Sequence, residues 1–515
     1  MTAAWQGTLD EAGVARLAEL LALKLGVGSL VVLKGDLGAG KSTLARALIR
    51  ALAGDDVEVP SPTFSLAQAY ATPRLMLTHF DFYRLTSAAE ALELGLEEAI
   101  AHGAVIAEWP ERVAELLPAD RYDIEIADSP DPSRRRLALV GRGAMAGSAQ
   151  RVAAALRFLE REPLARQGEL RYLQGDASTR TYARLSHADG TLLLMDAPRQ
   201  PDGPPIRAGM SYSRIACLAE DMARPFAAIG SALIEAGLSA PRVLGSDFEH
   251  GLLLVEDLGD RLYARELAGG GCQAELYRSA VDVLLRLRAV PVPSELPLPD
   301  GTCYRLPRRD RAAFEIELDL ILDWYWLKLK GTPCPEPARA EFRSLWRAVL
   351  DQLLALPGAW FLRDYHSPNL IWLPERAGLA RVGILDFQDA LNEHAAFDLV
   401  SLLQDARLDV EEALERQLFD YYCAAAAAAE PGFDRSEFAA AYAMFGAQRN
   451  TRLLGLWVRL KERDGKPHYL RHIPRTWGYL ERNLRNPTLA PLAAWYDRHF
   501  PPGLRDWAGR VRGGG

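Results

Sequence analysis

Two groups of side chains in this chain have the types and spacing needed for work on nucleotide phosphates. Gly35-Asp36-Leu37-Gly38-Ala39-Gly40-Lys41-Ser42 fits the pattern GxxxxGK[ST] at every fixed position. Glycines at those positions let backbone N–H groups turn inward to surround phosphate oxygens, where a Cβ would block the approach. Lys41 then reaches the terminal phosphates, and the Ser42 hydroxyl is placed to ligate Mg2+. That ion also requires a carboxylate, and Asp81 and Glu108, each closing an apolar run, are the two candidates. The second group is Asp364 with Asn369 five residues on, followed by Asp386 in ILDFQDA. Phosphoryl transfer needs one carboxylate to accept the attacking hydroxyl's proton, a role that fits Asp364, and oxygen ligands for Mg2+, which fit Asn369 and Asp386.

The Asp364-to-Asn369 interval is that of the kinase catalytic loop H-R-D-x-x-x-x-N, with Leu362 where the histidine would stand. Upstream, Gly175-Asp176-Ala177-Ser178-Thr179-Arg180 lies between two strand-like segments, a turn that would cover the ATP phosphates. Ser178 and Arg180 are its candidate contacts. Glu256 and Asp257, after LLLV, fall where a hinge would read the adenine edge. The departure is lysine. Kinases of this fold place one on an upper-lobe strand, yet none lies between Lys41 and Lys328. TLLLMDAP puts Met195 or Asp196 in its place, so an arginine must substitute, Arg180 first and Arg184 second, since guanidinium binds phosphate in a bidentate manner. A pseudokinase is the competing explanation.

These residues need elements to hold them. SLVVLKG (29–35) reads as a buried strand and LARALIRAL (44–52) as a helix, the strand–loop–helix context of a phosphate loop. Residues 9–26 show helical spacing, LMLTHFDFY (75–83) and AVIAEW (104–109) read as further strands, and RYDIEIAD with RRLALVG as a hairpin. GRGAMAGSAQ (141–150), small and Gly-rich, reads as a linker around 144–152 that joins independent domains flexibly. Beyond it come strand-like segments, a helical stretch at 211–237 and a strand at 250–260, then mostly helix after about 270. The fold class expected is an α/β P-loop NTPase domain (1–143) followed by an α+β, protein-kinase-like, two-lobed domain (153–515), with an upper lobe to about 262 and a helical lobe after it.

Bulk properties narrow the function. A chain of 515 residues exceeds one hydrophobic core. A net charge of −8 argues against strong direct nucleic-acid binding, which needs a basic face. Five scattered cysteines without a CxxC pair suggest neither a zinc site nor a disulfide framework. The first residues lack the basic and apolar regions of a secretory signal, and no apolar run is long enough for a bilayer. The expectation is a cytoplasmic protein without a membrane role.

In order and spacing, GDLGAGKST, SPTFSL (61–66), HFDFYRL (79–85), LGLEE (94–98) and EWPER (108–112) resemble the TsaE family. These are the small ATPases of the bacterial machinery that puts threonylcarbamoyl on the adenosine beside the tRNA anticodon. The resemblance spans about 1–143. It implies that Ser42 and Glu108 hold Mg2+, that Lys41 and Thr43 contact ATP with the loop residues Gly38, Ala39 and Gly40, and that Thr63 sits in a switch-like loop. Asp81 and Trp109 would belong to the catalytic face, core packing being the alternative for Trp109; for a lone His79 the structural reading is preferred. It also implies partners, a threonylcarbamoyl-transferase subunit and its paralogue (TsaD/TsaB-like), in a complex that ATP hydrolysis resets.

GDASTRTYARL, LLLMDAP, VEDLGD, LRDYHSPNL, LDFQDALNEHAAFDLVSLLQDAR and RLKERDGKPHYLRHIPR resemble a branch of the aminoglycoside-phosphotransferase-like superfamily, the AmgK-like kinases of N-acetylmuramate and N-acetylglucosamine in cell-wall recycling. That resemblance, over about 155–500, implies ATP, Mg2+ and phosphorylation of an amino-sugar's anomeric hydroxyl with Asp364 as base. Asp398 would brace the catalytic loop, while His366 reads as loop packing. Trp324, Tyr325 and the Arg449–Arg452 region are candidates for the sugar pocket, with helix packing as the alternative. The expected whole is a bifunctional ATP-dependent protein. The alternatives are a nucleotide-switched binding module fused to a pseudokinase, or to a kinase for another small molecule such as an aminoglycoside.

Overall fold

The computed structural model describes residues 3–166, 168–173, 180–188 and 190–505. The chain divides into two compact units, Met1–Pro198 with Val243–Asp257, and Arg199–Arg242 with Leu258–Gly515.

The first unit opens with β1 (Trp5–Leu9), α1 (Glu11–Ala22), β2 (Leu30–Lys34), α2 (Lys41–Ala53), β3 (Ala67–Ala71) and β4 (Met76–Asp81). Then come α3 (Ala88–Glu93), α4 (Leu96–His102), β5 (Gly103–Glu108), β6 (Arg121–Asp128) and β7 (Arg135–Arg142). The seven strands form one sheet in the order β1-β7-β6-β2-β5-β4-β3. β2 runs parallel to β5 and β6, and β4 parallel to β5, while the outer pairings are antiparallel. A strand covered on both faces must be apolar throughout; β2 (LVVLK) buries its first four residues completely. Parallel pairing brings the carboxyl ends of β2, β4 and β5 to one edge, with Asp81 opposite Glu108. The edge strands β1 and β3 are additions to the sequence expectation. Their segments, WQGTL and AQAYA, carry no apolar run.

Residues 144–152 are not a structureless linker. Gly143–Met145 make a 3-10 turn, and α5 (Ala146–Arg161) follows directly. This helix buries Ala149, Val152, Ala153, Ala154, Ala155, Leu156, Phe158 and Leu159. Burial at consecutive positions means that α5 is covered around most of its circumference rather than along one stripe. The strands β8 (Glu169–Leu173), β9 (Thr181–His187) and β10 (Gly190–Asp196) come next. They join Val243–Asp247 and Leu252–Glu256 in a five-stranded antiparallel sheet. One apolar core takes in Leu17 and Leu21 of α1, Ile124 of β6, Leu139 of β7, Val152 and Leu159 of α5, Leu185 of β9, Leu194 of β10 and Leu254. The flexible tether expected between independent domains is therefore replaced by a helix packed within a continuous core.

Polar contacts fix the same junction. Asp196, which occupies the expected lysine region of the upper-lobe strand, is buried and takes ion pairs from Lys24, just past α1, and from Arg151 of α5. The carboxylate of Glu19 on α1 accepts the Tyr172 N–H of β8 at 2.8 Å, and Arg171 pairs with Asp55 beyond α2 at 2.8 Å.

The second unit is mainly helical. Its helices include Ala223–Glu235, Gln273–Arg288, Arg311–Leu320, Glu336–Ala355, Glu412–Ala429, Arg435–Glu462 and Ile473–Leu484. Two short antiparallel pairs, Ala359–Phe361 with Leu391–Glu393 and Leu370–Trp372 with Val382–Ile384, frame the segment that carries Asp364, Asn369 and Asp386. The helix Arg311–Leu320 runs on into a π-turn, Ile321–Trp326. Gly455 of the longest helix lies against that junction so closely that a Cβ would sit 2.2 Å from the Leu320 carbonyl carbon.

Replacing Asp196 with Ala strands two cations at the junction, and breaking a buried pair by removing one partner is costly. The expected loss is about 3 kcal/mol for the first unit, read as a lower midpoint in urea unfolding.

Candidate active sites

In the front site, backbone geometry comes first. Gly35, Gly38 and Gly40 adopt φ of 147°, 81° and 105°, a region closed to most side chains. At Gly35 a Cβ would meet the Ile126 carbonyl oxygen at 2.3 Å, so this position excludes any larger residue. The loop curls onto the N-terminus of α2, an arrangement suited to phosphate. Lys41 Nζ donates to the carbonyls of Gly35 (2.7 Å) and Asp36 (2.9 Å) and lies 3.7 Å from the centre of the Trp109 ring. Burial lowers its pKa, opposed by the charge of Glu108.

The carboxyl-edge acids divide their work. Ser42 Oγ donates to Glu108 Oε2 at 3.2 Å, while His79 Nε2 meets Glu108 Oε1 at 3.0 Å. Asp81 instead accepts from Thr63 Oγ1 (3.2 Å) and from the Tyr83 N–H (3.0 Å). Of the two carboxylates, Glu108 stands beside the Ser42 hydroxyl and Asp81 beside the 61–66 loop. His79 contacts Glu108 directly, a role the lone-histidine argument missed. The signal was present in strand register, which aligns β4 with β5. Thr43 is exposed at the start of α2.

In the back site, the catalytic segment is pinned by buried carboxylates. Asp398 accepts the Leu362 N–H at 2.6 Å and the Arg363 N–H at 3.1 Å, and burial raises its pKa to about 8. Asp405 accepts the Ser367 N–H at 3.0 Å and the Tyr277 hydroxyl at 3.3 Å. Asn369 Nδ2 donates to the Asp364 carbonyl (2.9 Å) and to Asp386 Oδ2 (3.3 Å), so Asp364, Asn369 and Asp386 meet. Gln388 Nε2 holds the other Asp386 oxygen at 3.1 Å. His366 is buried and pairs with Arg407 at 2.6 Å, within the loop's packing.

Three non-glycine residues at the two sites have left-handed backbones: Trp109 (φ 60°), Arg363 (φ 72°) and Asp386 (φ 58°). Each lies at or next to an assigned acid, and such conformations persist only where surrounding contacts enforce them. At Arg363 the contacts are plain: its guanidinium donates to the Ala216 and Cys217 carbonyls, both at 3.1 Å, and pairs with Glu317 at 3.4 Å. Glu317 is fully buried and also receives Arg309 (2.9 Å), Gln448 (3.0 Å) and Arg452 (3.4 Å).

Asp364 opens into a cavity of about 910 Å³, bordered by Tyr212, Glu317, Asp323, Trp324, Arg452 and Arg459 among others. Of the residues considered for a sugar pocket, Trp324 and Arg452 border this cavity. Tyr325 does not: it is fully buried, and its hydroxyl accepts from Trp477 Nε1 at 2.9 Å. Arg449, Asn450 and Thr451 are likewise interior, bonded to Gln404 and Tyr496. In the upper-lobe sheet, Arg184 pairs with Asp257 at 2.6 Å, Arg180 is half-buried just before β9, and Glu256 ends its strand. Ser178 and the rest of 174–179 lie outside the described residues.

Ser42 and Glu108 bring oxygen atoms together, the donor chemistry a hard divalent cation prefers; Asn369 and Asp386 each carry a side-chain oxygen as well, although their mutual contact runs through Asn369 Nδ2. Fold and geometry define two nucleotide-dependent classes, a P-loop NTPase and a phosphotransferase with a kinase-like catalytic loop. The family model for threonylcarbamoyl adenosine biosynthesis protein TsaE matches residues 8–137, and that for the phosphotransferase enzyme family matches 169–438. An N-acetylmuramate/N-acetylglucosamine kinase of Caulobacter vibrioides is 42% identical over 337 residues, covering 64% of this chain and 91% of that protein. The protein of the same name from Pseudomonas aeruginosa is 32% identical, covering 63% and 86%. A tRNA threonylcarbamoyladenosine biosynthesis protein TsaE of Rickettsia felis is 40% identical over 121 residues, covering 23% of this chain and 71% of that one. The chain belongs to the TsaE family in its front part and to the phosphotransferase enzyme family behind it.

Two outcomes follow from this geometry. Gly455→Ala forces a methyl into the Leu320 backbone; a loss of about 1–3 kcal/mol is expected in thermal unfolding, together with a raised KM for the substrate of the cavity. Burial lowers the pKa of His366, and lowers those of His394 and His472 to about 4. Above the ordinary value of 6.5 these rings are neutral whether folded or not; below it the unfolded chain takes protons more readily. The histidines' contribution to the stability of the second unit is therefore expected to fall as pH drops from 6.5 to about 4, opposed by the raised carboxyl pKa of Asp398, so the difference between wild type and His394→Gln in pH-resolved melting curves shrinks over that range.

Proposed function

We propose that the chain is a bifunctional ATP-dependent protein: an ATPase of tRNA threonylcarbamoyladenosine formation joined to an amino-sugar kinase acting on N-acetylmuramate and N-acetylglucosamine. The observation that carries the kinase reading is that Asn369 joins Asp364 to Asp386 while Asp364 stands at the wall of a cavity large enough for a monosaccharide. Sequence likeness to kinases of that name along most of their length supports the substrate class.

In the back half, Asp364 accepts the proton of the sugar's anomeric hydroxyl while that oxygen bonds to the γ-phosphorus and the β,γ-bridging bond breaks, releasing ADP. Asn369 and Asp386 would hold Mg2+, which supplies charge neutralisation at the phosphates. Arg180 is our assignment for the missing lysine's task, with Arg184 second, since guanidinium binds phosphate in a bidentate manner. In the front half, the loop amides and Lys41 bind the phosphates, Ser42 and Glu108 would hold the ion, and Thr63 with Asp81 forms the face that differs between nucleotide states. The chain's counterparts there would be a threonylcarbamoyl-transferase subunit and its paralogue, and its place the cytoplasm; no helix among the described residues is long and apolar enough to cross a membrane.

Two variants separate the activities. Asp364→Asn is expected to lower sugar phosphorylation by about 10²–10⁴-fold while ATP hydrolysis by the front site continues; Lys41→Ala is expected to abolish that hydrolysis and leave a sugar kinase. Loss of the sugar's reducing end, followed with 31P NMR of the product, checks the anomeric position. A product phosphorylated elsewhere refutes it.

A further inference from the structure

The charges around the Asp364 cavity are unevenly paired. Apart from Asp364 itself, its carboxylates have cations of their own: Glu317 has Arg309, Arg363 and Arg452, Asp319 has Arg343 at 2.7 Å, and Asp323 has Arg339 at 2.7 Å. Conversely, most lining arginines are committed. Arg207 pairs with Glu315, and Arg463, more than half exposed, with Asp464. Arg459 differs. Among the described residues it forms no ion pair, and its guanidinium lies 4.9 Å from the centre of the Tyr212 ring. It stands seven positions after Arg452 on the helix Arg435–Glu462, so the two share the face that borders the cavity. Burial and the neighbouring Arg463 lower its pKa while Tyr212 and Asp464 oppose that shift, and the guanidinium stays protonated at neutral pH.

We propose that Arg459 is the anion subsite of the sugar pocket and binds a carboxylate carried by the substrate. The inference rests on the amino-sugar reading above and gives it a chemical basis for discrimination. N-acetylmuramate differs from N-acetylglucosamine by a lactyl ether that ends in a carboxylate. A guanidinium steadied on an aromatic face and lacking a protein carboxylate offers that group a charge-assisted, bidentate partner. Such contacts contribute a factor of about ten to a hundred in binding. Tyr212 is then a positioning residue, since it acts through Arg459. N-acetylglucosamine, without the acid, uses the rest of the pocket and Asp364 alone.

The test needs no variant at first. With the wild-type full chain, the KM for N-acetylmuramate is compared with that for its neutral methyl ester. A KM for the ester at least tenfold higher is expected; equal values overturn the proposal. In Arg459→Gln, the ratio of kcat/KM for N-acetylmuramate to that for N-acetylglucosamine is expected to fall by a factor of ten to a hundred, with partial recovery in Arg459→Lys. A variant that loses both sugars in equal proportion assigns Arg459 a structural role and sinks the subsite. If the wild type phosphorylates neither sugar, the amino-sugar reading fails and takes the subsite with it, an outcome distinct from equal use of acid and ester.

Discussion

A carboxylate taken out of water is tolerated only where cations or N–H donors meet it, and this constraint shapes both units. Glu108 is met by Ser42 and His79, Asp123 by Lys34, Arg121 and Arg142, and Asp196 by Lys24 and Arg151. In the second unit Glu317 gathers three guanidiniums, while Asp398 and Asp405 gather backbone N–H groups of the catalytic segment. In each unit, satisfying a buried acid also fixes something near the chemistry. The Glu108 carboxylate accepts from Ser42 beside the phosphate loop, and the Asp398 carboxylate holds the Leu362 and Arg363 N–H groups at the left-handed turn that precedes Asp364.

Glu317 shows how far one such group extends. It is on the helix Arg311–Leu320, its partners come from the catalytic segment and from the helix Arg435–Glu462, and all three border one cavity. Gly455 lets those two helices approach to backbone contact, which keeps the acid and its arginines in range. The cavity is thus shaped by a charge network, with apolar packing filling in behind it. Its two helices carry the acids and arginines that any ligand must face.

Much of this was legible in the chain. The phosphate loop is recognisable because glycine, lysine and serine are each obligatory in such a loop, and the Asp364–Asn369 interval because it is the one a kinase catalytic loop uses. What escaped reading depended on partners distant in sequence. His79 acquires its contact only through the register of β4 with β5. Arg449, Asn450 and Thr451 are adjacent to Arg452, yet helix rotation turns them into the core and leaves Arg452 at the cavity. The edge strands β1 and β3 lack an apolar run because each pairs on one side only. The segment 141–150 misled for a different reason. Small residues suggest flexibility, but here they serve close packing: a Cβ on Gly141 would lie 2.6 Å from that of Ala149.

The interior of α5 has a consequence for the order in which the protein is made. Ribosomes release the chain from its amino end, and domains begin folding as they emerge. When residues up to Arg161 have appeared, the P-loop sheet can close over one flank of the helix, but Leu170, Leu185, Leu192 and Leu194, which belong to the same core, are not yet synthesised. For that interval the nascent chain presents a greasy flank to its surroundings. It stays sheltered only once the strand Leu252–Glu256, more than ninety residues later, has been threaded into place. Speed of elongation through this stretch, and whatever chaperone waits at the exit, thereby become part of what the fused architecture demands of its host.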